Sequence, residues 1–274
     1  MLFFSFAVRR GNALRIGRIS RLFPSYSLAA YSHVRQNLAM PETTTIVNAR
    51  LLSARLRVSL PWPADFKQGV ALQRDLASRV VEFGNVHAPY LAAGADMHIR
   101  RSDGMGIATV VTVSVPELYV VERVSAAVPV EFPYIPGLLS FRELPALLEA
   151  FIRLRTQPDV VLVDGHGRSH PRRFGLACHL GLELDLPTIG CAKSRLTGSF
   201  GDLGREPGST ADLELDGEII GTALRSKERC NPLFVSVGHK ISLQHAVKVV
   251  EQNLDGYKIP RALRLAHTAA KSNA

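Results

Sequence analysis

A short, wholly apolar segment from Val160 to Val163 constrains the fold more than any other feature of the sequence. It lies between Pro158 and Gly165, and four residues are too few for a helix. An apolar run without polar alternation is typical of a strand that is covered on both faces. Such strands belong to parallel sheets packed between helices, so the segment predicts an α/β architecture.

The segments around this strand predict a mixed central sheet flanked by helices. Upstream, Leu91 to Met97, Ile107 to Val115 and Tyr119 to Val128 have the pattern of a three-strand antiparallel meander. Helical spacing of apolar residues predicts one helix from Phe66 to Phe83 and another around Leu144 to Ile152. The remaining predicted elements are a helix from about Phe174, a strand near Pro187 to Gly190, a hairpin at Asp216-Gly217, a strand from Leu233 to Val237 and a helix from Ser242. This order of elements is that of the ribonuclease H-like fold.

One folded domain, residues 51–268, is expected between two terminal segments. Residues 1–50 are interpreted as an Arg-rich, disordered extension, because the first forty residues hold six arginines and no acid. This composition, ending just before Met40, fits a mitochondrial presequence or upstream sequence translated from a start codon placed too early. Residues 269–274 are expected to form a frayed tail.

The composition also limits which cellular compartment and which class of binding partner are expected for this protein. The longest apolar stretch, Met105 to Val130, is interrupted by Glu117, Glu122 and Arg123, so no membrane-spanning segment is expected. Three cysteines without a C-x-x-C pair argue against a disulfide framework and a cysteine-rich zinc site. We therefore expect a monomeric, cytoplasmic protein, or a mitochondrial one if the extension is a genuine presequence. The net charge of +9 favours a nucleic-acid partner only slightly, because six of those charges come from the first forty residues.

Three acidic residues lie where a hard divalent cation could be held. Asp96 ends an apolar run, Asp164 follows the strand Val160 to Val163, and Glu143 lies near the start of a predicted helix. Hydrolysis of a phosphodiester needs an activated water and a positive charge near the phosphate oxygens, and a cation held by carboxylates supplies both. The three acids are therefore candidate metal ligands.

Each acid also has an ordinary structural interpretation. Asp96 could face water at a strand end, and Asp164 could belong to an Asp-Gly turn. Glu143 could complete a capping box with Ser140 as the helix N-cap. The residues alone leave these alternatives open.

His239, Lys193 and Tyr134 complete the set of candidates. His239 could act as a ligand or general base, because neutral imidazole is available near pH 7. Lys193 follows a glycine-bounded segment and could hold a phosphate. Tyr134, fixed between Pro133 and Pro136, could fill the gap left by an extruded base. Each also has a structural alternative: His239 and Lys193 could simply be solvated, and the ring of Tyr134 could pack over the edge of the core.

The amino-acid sequences of several segments resemble those of the endonuclease V family, over a span from about Trp62 to His267. The segments that carry the resemblance are Ala93–Asp96, Phe132–Glu143, Asp159–Gly167 with Ser169–Arg172, Pro187–Ser194 and Val235–His239. The long segments around Tyr134 and Asp164 are highly specific to this family.

The resemblance implies a role for each candidate residue. Asp96 and Asp164 correspond to the principal Mg²⁺ ligands, with Mn²⁺ as an alternative ion, and Glu143 completes the acidic cluster. His239 corresponds to a residue near the metal-bound water, and Lys193 to a catalytic lysine.

The resemblance also implies how nucleic acid is bound. Tyr134, with Pro133 and Ile135 beside it, corresponds to a wedge that replaces a flipped nucleotide. The pocket for the flipped base corresponds to backbone groups around Gly137, Leu139, Gly165 and Leu176. Such groups can distinguish hypoxanthine from adenine, because deamination replaces an exocyclic donor by a carbonyl acceptor.

The reaction implied is hydrolysis of a phosphodiester on the 3′ side of a deaminated base, one nucleotide beyond it, leaving 3′-hydroxyl and 5′-phosphate ends. DNA containing hypoxanthine is the expected partner. A ribonuclease specific for inosine-containing RNA is the alternative enzyme, since the sequence does not place contacts to a 2′-hydroxyl. A non-catalytic inosine-binding module is the alternative from another class, but clustered carboxylates repel phosphate and would not help a pure binder.

Overall fold

The computed structural model describes residues 62–274, so the predicted extension, residues 1–50, lies outside the described residues. Within residues 62–274 the chain forms eight strands and five helices. The strands are β1 (Tyr90–Ile99), β2 (Met105–Val115), β3 (Val120–Pro129), β4 (Val160–Val163), β5 (Thr188–Ala192), β6 (Thr210–Leu215), β7 (Glu218–Leu224) and β8 (Leu233–His239). The helices are α1 (Phe66–Ala77), α2 (Leu139–Ile152), α3 (Leu176–Leu184), α4 (Leu243–Gln252) and α5 (Arg261–Ser272).

All eight strands form one sheet in the order β3-β2-β1-β4-β5-β8-β7-β6. The central strands β1, β4 and β5 are parallel, whereas β1, β2 and β3 form an antiparallel meander. On the other side, β8, β7 and β6 are antiparallel to their neighbours. The predicted mixed sheet and its meander are confirmed.

The alternation of side chains along β4 explains why its sequence is wholly apolar. Val161 and Val163 pack into the core formed with α2 and α3. Val160 and Leu162 pack into a second core formed with α4 and α5 on the opposite face. A strand with helices on both sides has no polar face, so the reading of Val160 to Val163 as a doubly buried strand is confirmed.

The C-terminal helix α5 is the main element that the sequence analysis missed. The residues expected to form a frayed tail continue this helix as far as Ser272, and Ala269 and Ala270 are buried. The helix packs on β1 and β2, with Ala262, Leu263 and Ala266 buried against the sheet. The folded domain therefore extends past the predicted boundary at residue 268.

Two local predictions differ from the structure. Helix α1 ends at Ala77 instead of continuing to Phe83. The alternative capping box at Ser140 and Glu143 does not form, because α2 begins two residues earlier than that box requires, with Leu138 as its N-cap and no side-chain cap. The hydroxyl of Ser140 instead lies 3.2 Å from Nδ1 of the buried His179.

The described residues bear on two expectations from the composition, one about disulfides and one about membrane-spanning helices. All three cysteines are free thiols, as expected from their spacing. Among residues 62–274, no helix combines the length and the apolar character that crossing a membrane requires.

Candidate active site

The parallel pairing of β1 with β4 brings Asp96 and Asp164 together. Ala95 lies opposite Val163 in the register of these strands, and the next residue of each chain segment is an aspartate. The backbone N–H of Asp164 donates to the carbonyl of Ala95 over 3.2 Å. Because the carboxyl ends of parallel strands meet at one edge of a sheet, both carboxylates project at the same edge, where ligands gather in α/β proteins.

Helix α5 brings a third side chain, His267, to this edge. The helix can lie close to β1 because residue 94 is a glycine: a Cβ atom there would overlap the backbone of Ala262 and Leu263. His267 Nδ1 donates to Asp96 Oδ2 over 2.7 Å and lies 3.9 Å from Asp164 Oδ2. One ligand atom from each of these three residues lies within 4.8 Å of the other two.

Two further charged residues adjoin this group, which we call the acidic cluster (Asp96, Asp164 and His267). Lys193, directly after β5, forms an ion pair with Asp164 Oδ2. Glu143 on α2 lies outside the cluster but close enough for its carboxyl group to be affected by both aspartates. The structure therefore brings together four of the five predicted catalytic residues and adds His267.

The electrostatics of the edge favour a bound cation. Burial, followed by the charges of Asp96 and Asp164, raises the pKa of Glu143 to about 8. Burial and the charge of Asp164 also raise the pKa of Asp96, against the opposing effect of His267. Carboxylates crowded in this way gain from a nearby positive charge. Two carboxylates and an imidazole within 4.8 Å thus fit a divalent metal ion.

The loop before α2 is held at both ends and leaves Tyr134 exposed. At one end, Arg142 Nη1 donates to the carbonyl of Phe132 over 2.5 Å. At the other, Gly137 has φ +79°, a conformation that favours glycine. Between these ends the side chain of Tyr134 is 70% exposed. A ring presented on an anchored loop loses little conformational freedom when it inserts into a ligand.

The anchor at Gly137 consists of a partly buried polar network, which we call the Gly137 brace (Gln73, His170, Arg172 and the Gly137 carbonyl). The Gly137 carbonyl oxygen lies 2.9 Å from Gln73 Nε2, 2.7 Å from Arg172 Nη2 and 3.1 Å from His170 Nε2. Arg172 Nε also donates to Gln73 Oε1 over 2.5 Å. Burial, followed by the charge of Arg172, lowers the pKa of His170 to about 4, so this ring is neutral at pH 7.

The predicted base-pocket residues lie at the starts of two helices near the acidic cluster. Leu139 is the first residue of α2 and Leu176 the first of α3, and neither helix has a side-chain N-cap. Gly165 adjoins Leu176, whose Cβ atom would lie 3.6 Å from a Cβ at residue 165. The first N–H groups of a helix have no partner within the helix, and although the N–H of Ala177 at the start of α3 donates to the carbonyl of His166, such ends can present backbone donors to a ligand.

His239 does not lie at this edge, and its predicted role near the metal is wrong. Strand β8 is antiparallel to β5, so His239 lies opposite Thr188 at the start of β5, whereas Lys193 follows the other end. Five residues of strand separate these ends by roughly 16 Å. His239 is 4% exposed, its Nδ1 accepts from the N–H of Val81, and its Nε2 lies 3.8 Å from Asp185 Oδ1. These contacts indicate a structural role.

His267 was missed although the sequence contains a signal for it. Ala262, Leu263, Ala266, Ala269 and Ala270 recur at helical spacing, which predicts a helix with one buried stripe. Position 267 falls beside that stripe. The sequence does not show that this helix crosses β1 at Gly94, which is what places His267 beside Asp96.

Comparison with known proteins supports the assignment of a nuclease site. A family model described as Endonuclease V matches residues 74–268. An Endonuclease V of Dehalococcoides mccartyi is 47% identical over 209 residues, which cover 76% of this chain and 94% of that protein.

Two solved structures extend this similarity to the fold. The Endonuclease V of Streptomyces avermitilis superposes with a TM-score of 0.74 and 38% identity, covering 77% of this chain and 94% of that one. An Endonuclease V of Ciona intestinalis, in complex with a 23mer DNA containing an inosine followed by a ribo-adenosine, has a TM-score of 0.66 and 26% identity. That match covers 76% of this chain and 95% of the Ciona chain. These similarities confirm the expected ribonuclease H-like fold.

Proposed function

The chain belongs to the endonuclease V family and is therefore a nuclease, and we propose that it nicks DNA at deaminated bases, chiefly hypoxanthine. The observation that carries this proposal is the acidic cluster, with Lys193 beside it and with Glu143 nearby on the helix that follows the exposed Tyr134 loop. The inosine-containing DNA bound to the Ciona relative supports the choice of substrate.

In the proposed mechanism, the acidic cluster holds one Mg²⁺ ion, with Mn²⁺ as a substitute. A divalent cation at this site would lower the pKa of water and offset charge on the phosphate oxygens. Asp96, Asp164 and His267 would provide its ligands, and Glu143 would add negative charge beside them. Lys193 lies where its ammonium group can contact a phosphate oxygen as well as Asp164.

Recognition of the lesion is proposed to use the Tyr134 loop and the two uncapped helix starts. Tyr134, flanked by Pro133 and Ile135, fills the position of the extruded nucleotide. The backbone around Gly137, Leu139, Gly165 and Leu176 contacts the edge of the flipped base. Hypoxanthine presents a carbonyl acceptor where adenine presents an amino donor, so backbone N–H groups would favour the deaminated base.

The bond cleaved is proposed to lie on the 3′ side of the lesion, one nucleotide beyond it, with 3′-hydroxyl and 5′-phosphate products. The damaged base stays in the strand, so the nick would begin a repair process that other enzymes complete. Gly165 of the proposed base pocket directly follows Asp164 of the acidic cluster in the chain, which supports a cleaved bond close to the lesion.

The test is strand cleavage of a duplex with one deoxyinosine, with Mg²⁺ or with EDTA, by the wild-type chain and by Asp164→Asn. The expected result is a Mg²⁺-dependent nick at the stated position that the variant does not make. An exposed substitution remote from the cluster, Lys248→Ala on α4, serves as the control and should nick normally. Absence of a nick by the folded wild-type protein would refute the proposal for DNA.

A ribonuclease acting on inosine-containing RNA is the second candidate, favoured by one specific observation. The inosine in the DNA bound to the Ciona relative is followed by a ribo-adenosine, so that protein was studied with a ribose next to the lesion. Parallel cleavage of matched DNA and RNA strands, each with one inosine, distinguishes the candidates. Faster cleavage of the RNA by the same Asp164-dependent activity would assign the protein to RNA.

A further inference from the structure

A strip of basic side chains leads away from the acidic cluster on the surface of the protein. It begins at Lys193, which pairs with Asp164, and continues to Lys258, whose Nζ lies 3.4 Å from the carbonyl oxygen of Lys193. The next residue along the chain from Lys258 towards α4 is Tyr257, 52% exposed. Lys227 and Arg264 lie beside this ring. We call Lys193, Lys227, Lys258, Arg264 and Tyr257 the basic strip.

Tyr257 holds two cationic groups that come from different parts of the chain. The guanidinium carbon of Arg264, on α5, lies 3.8 Å from the centre of the tyrosine ring. The ammonium nitrogen of Lys227, on the connection between β7 and β8, lies 5.6 Å from the same centre. Both distances are within the range of cation–π attraction. The ring therefore restricts Lys227, and it lies against the face of Arg264, which Asp255 also holds.

A side-chain hydrogen bond and two ion pairs fix the loop that carries this ring. Ser226 Oγ donates to the carbonyl of Lys258 over 2.7 Å, which ties the loop before α5 to the connection after β7. Asp255 pairs with Arg261 at 3.1 Å and Arg264 at 2.5 Å, so the one carboxylate in this loop is already engaged. Within residues 62–274, no carboxylate forms an ion pair with Lys227 or Lys258.

The basic strip supplies positive charge that a nucleic acid needs in order to bind near the acidic cluster. Crowded carboxylates repel the phosphates of a nucleic acid, so binding near them requires positive charge close by. Arg264 lies one helical turn before His267 on α5, so the strip and the cluster share that helix. Lys258 and Lys227, which form no ion pair with a carboxylate among the described residues, therefore provide positive charge beside the cluster.

We propose that the basic strip binds the phosphate backbone of the nucleic-acid strand as it leaves the acidic cluster, with Tyr257 as the residue that positions Lys227 and Arg264. This inference rests on the proposed function, since it takes the substrate to be a nucleic acid. Tyr257 acts through the two cations and touches no reacting atom. The strip recognises phosphate, so it contributes affinity without distinguishing one base from another.

The test measures equilibrium binding of the full chain to undamaged and inosine-containing duplexes in EDTA across a series of salt concentrations. Lys227→Gln should reduce the slope of log affinity against log salt by about 0.7–0.9, the contribution of one phosphate contact. Tyr257→Leu should reduce the slope and weaken binding to both duplexes, whereas Tyr257→Phe keeps the ring and should bind like wild type. Lys248→Gln, an exposed lysine on α4, is the matched control and should leave the slope unchanged.

Trimming the duplex on one side of the lesion gives a second readout. Shortening the flank that lies on the strip should weaken binding by the wild-type protein, and should weaken binding by Lys227→Gln less, because that variant makes one contact fewer with this flank. Wild-type slopes in both Lys227→Gln and Tyr257→Leu, with normal thermal unfolding, would overturn the proposal.

The inference and the proposed function can fail separately. A wild-type protein that binds undamaged duplex through Lys227 but never nicks inosine would retain the strip and refute the proposed function. A wild-type protein that nicks inosine while Lys227→Gln and Tyr257→Leu bind normally would refute the strip alone. A wild-type protein that binds no nucleic acid would refute both.

Discussion

Glu143 is the residue of this site whose ionisation lowers the stability of the folded protein most clearly. The same ionised carboxylate provides negative charge that suits a bound cation. An acid with a raised pKa in the folded state binds its proton more tightly there than in the unfolded chain. Its contribution to stability is thus most favourable below the ordinary value of 4.5 and is lost as the pH rises through about 8. A divalent cation offsets this loss because it stabilises the ionised carboxylates.

The first prediction concerns Glu143→Gln. Without added metal, the variant should be more stable than wild type at pH 9 and should show little difference at pH 4, because glutamine carries no charge to be desolvated. Thermal unfolding at both pH values, with EDTA, measures this difference. Equal pH dependence of the two proteins would show that Glu143 is not held in its neutral form.

Metal binding should also release protons from the wild-type site. Because the pKa of Glu143 is about 8, the group is largely protonated at pH 7 and must ionise when a cation binds nearby. Calorimetric titration with Mg²⁺ in two buffers of different ionisation enthalpy counts the protons. The apparent affinity should rise with pH up to about 8, and Glu143→Gln should release fewer protons.

His267 lies in the acidic cluster and His239 does not, so replacing each of them should have a different effect. His267→Ala should reduce nicking by at least about 10- to 100-fold, because removal of a metal ligand should cost no less than removal of a group that only orients the ligands. His239→Ala should lower thermal stability, because it leaves the N–H of Val81 without its acceptor, and should leave the rate per folded molecule near wild type. The reverse pattern would contradict the placement of His267 in the cluster.

Among the elements, helix α5 contributes most to the site, and its position depends on Gly94. A methyl group at position 94 would overlap the backbone of Ala262 and Leu263, so the helix would have to move away from β1. His267 would move with it. The close contact between strand and helix is therefore a condition for assembling the acidic cluster.

Gly94→Ala should thus lower both stability and activity. Overpacking of this kind costs about 1–3 kcal/mol, and the displaced His267 should weaken Mg²⁺ binding beyond the loss of folded protein. Gly201→Ala is the matched control, because a Cβ at position 201 would meet no atom within 4 Å. Normal metal affinity in a folded Gly94→Ala protein would show that the helix tolerates the methyl group.

The Gly137 brace connects α1 to the loop that carries Tyr134. Gln73, 1% exposed on α1, donates to the carbonyls of Gly137 and Phe174 and accepts from Arg172. Gln73→Leu has a similar size but no hydrogen bonds, so it should loosen the loop without opening the core.

The expected effect of Gln73→Leu is a loss of discrimination. The ratio of kcat/KM for inosine to that for adenine should fall by about tenfold, consistent with a lost interaction on the order of 1–3 kcal/mol. Gln244→Leu, an exposed change on α4, is the control. An unchanged ratio in the folded Gln73→Leu protein would mean that the brace does not position the loop for recognition.

At the scale of the whole molecule, local patterns predicted the layers of the fold well. The apolar run Val160 to Val163 could only be a strand buried on both faces, and Asp216-Gly217 forms the predicted hairpin turn with positive φ at both residues. Such features depend on neighbours in sequence, which is why they can be inferred without coordinates.

The parts that the sequence left unresolved depend on contacts between distant segments. Asp96 and Asp164 were identifiable because each follows an apolar run, but the choice between His239 and His267 required the direction of β8 and the crossing of α5 over β1. The network around Gly137 joins residues 64 positions apart, and no local pattern marks it. The distribution of charge is similar, since the basic strip draws on three separate segments.

The most direct test of the central claim is the position of the catalytic cation. Crystals of the protein soaked in Mn²⁺ should show an anomalous scattering peak between the carboxylates of Asp96 and Asp164 and the imidazole of His267, and Asp164→Asn should abolish it. A peak elsewhere, for example beside His239 and Asp185, or full occupancy in the Asp164→Asn crystals, would contradict the account.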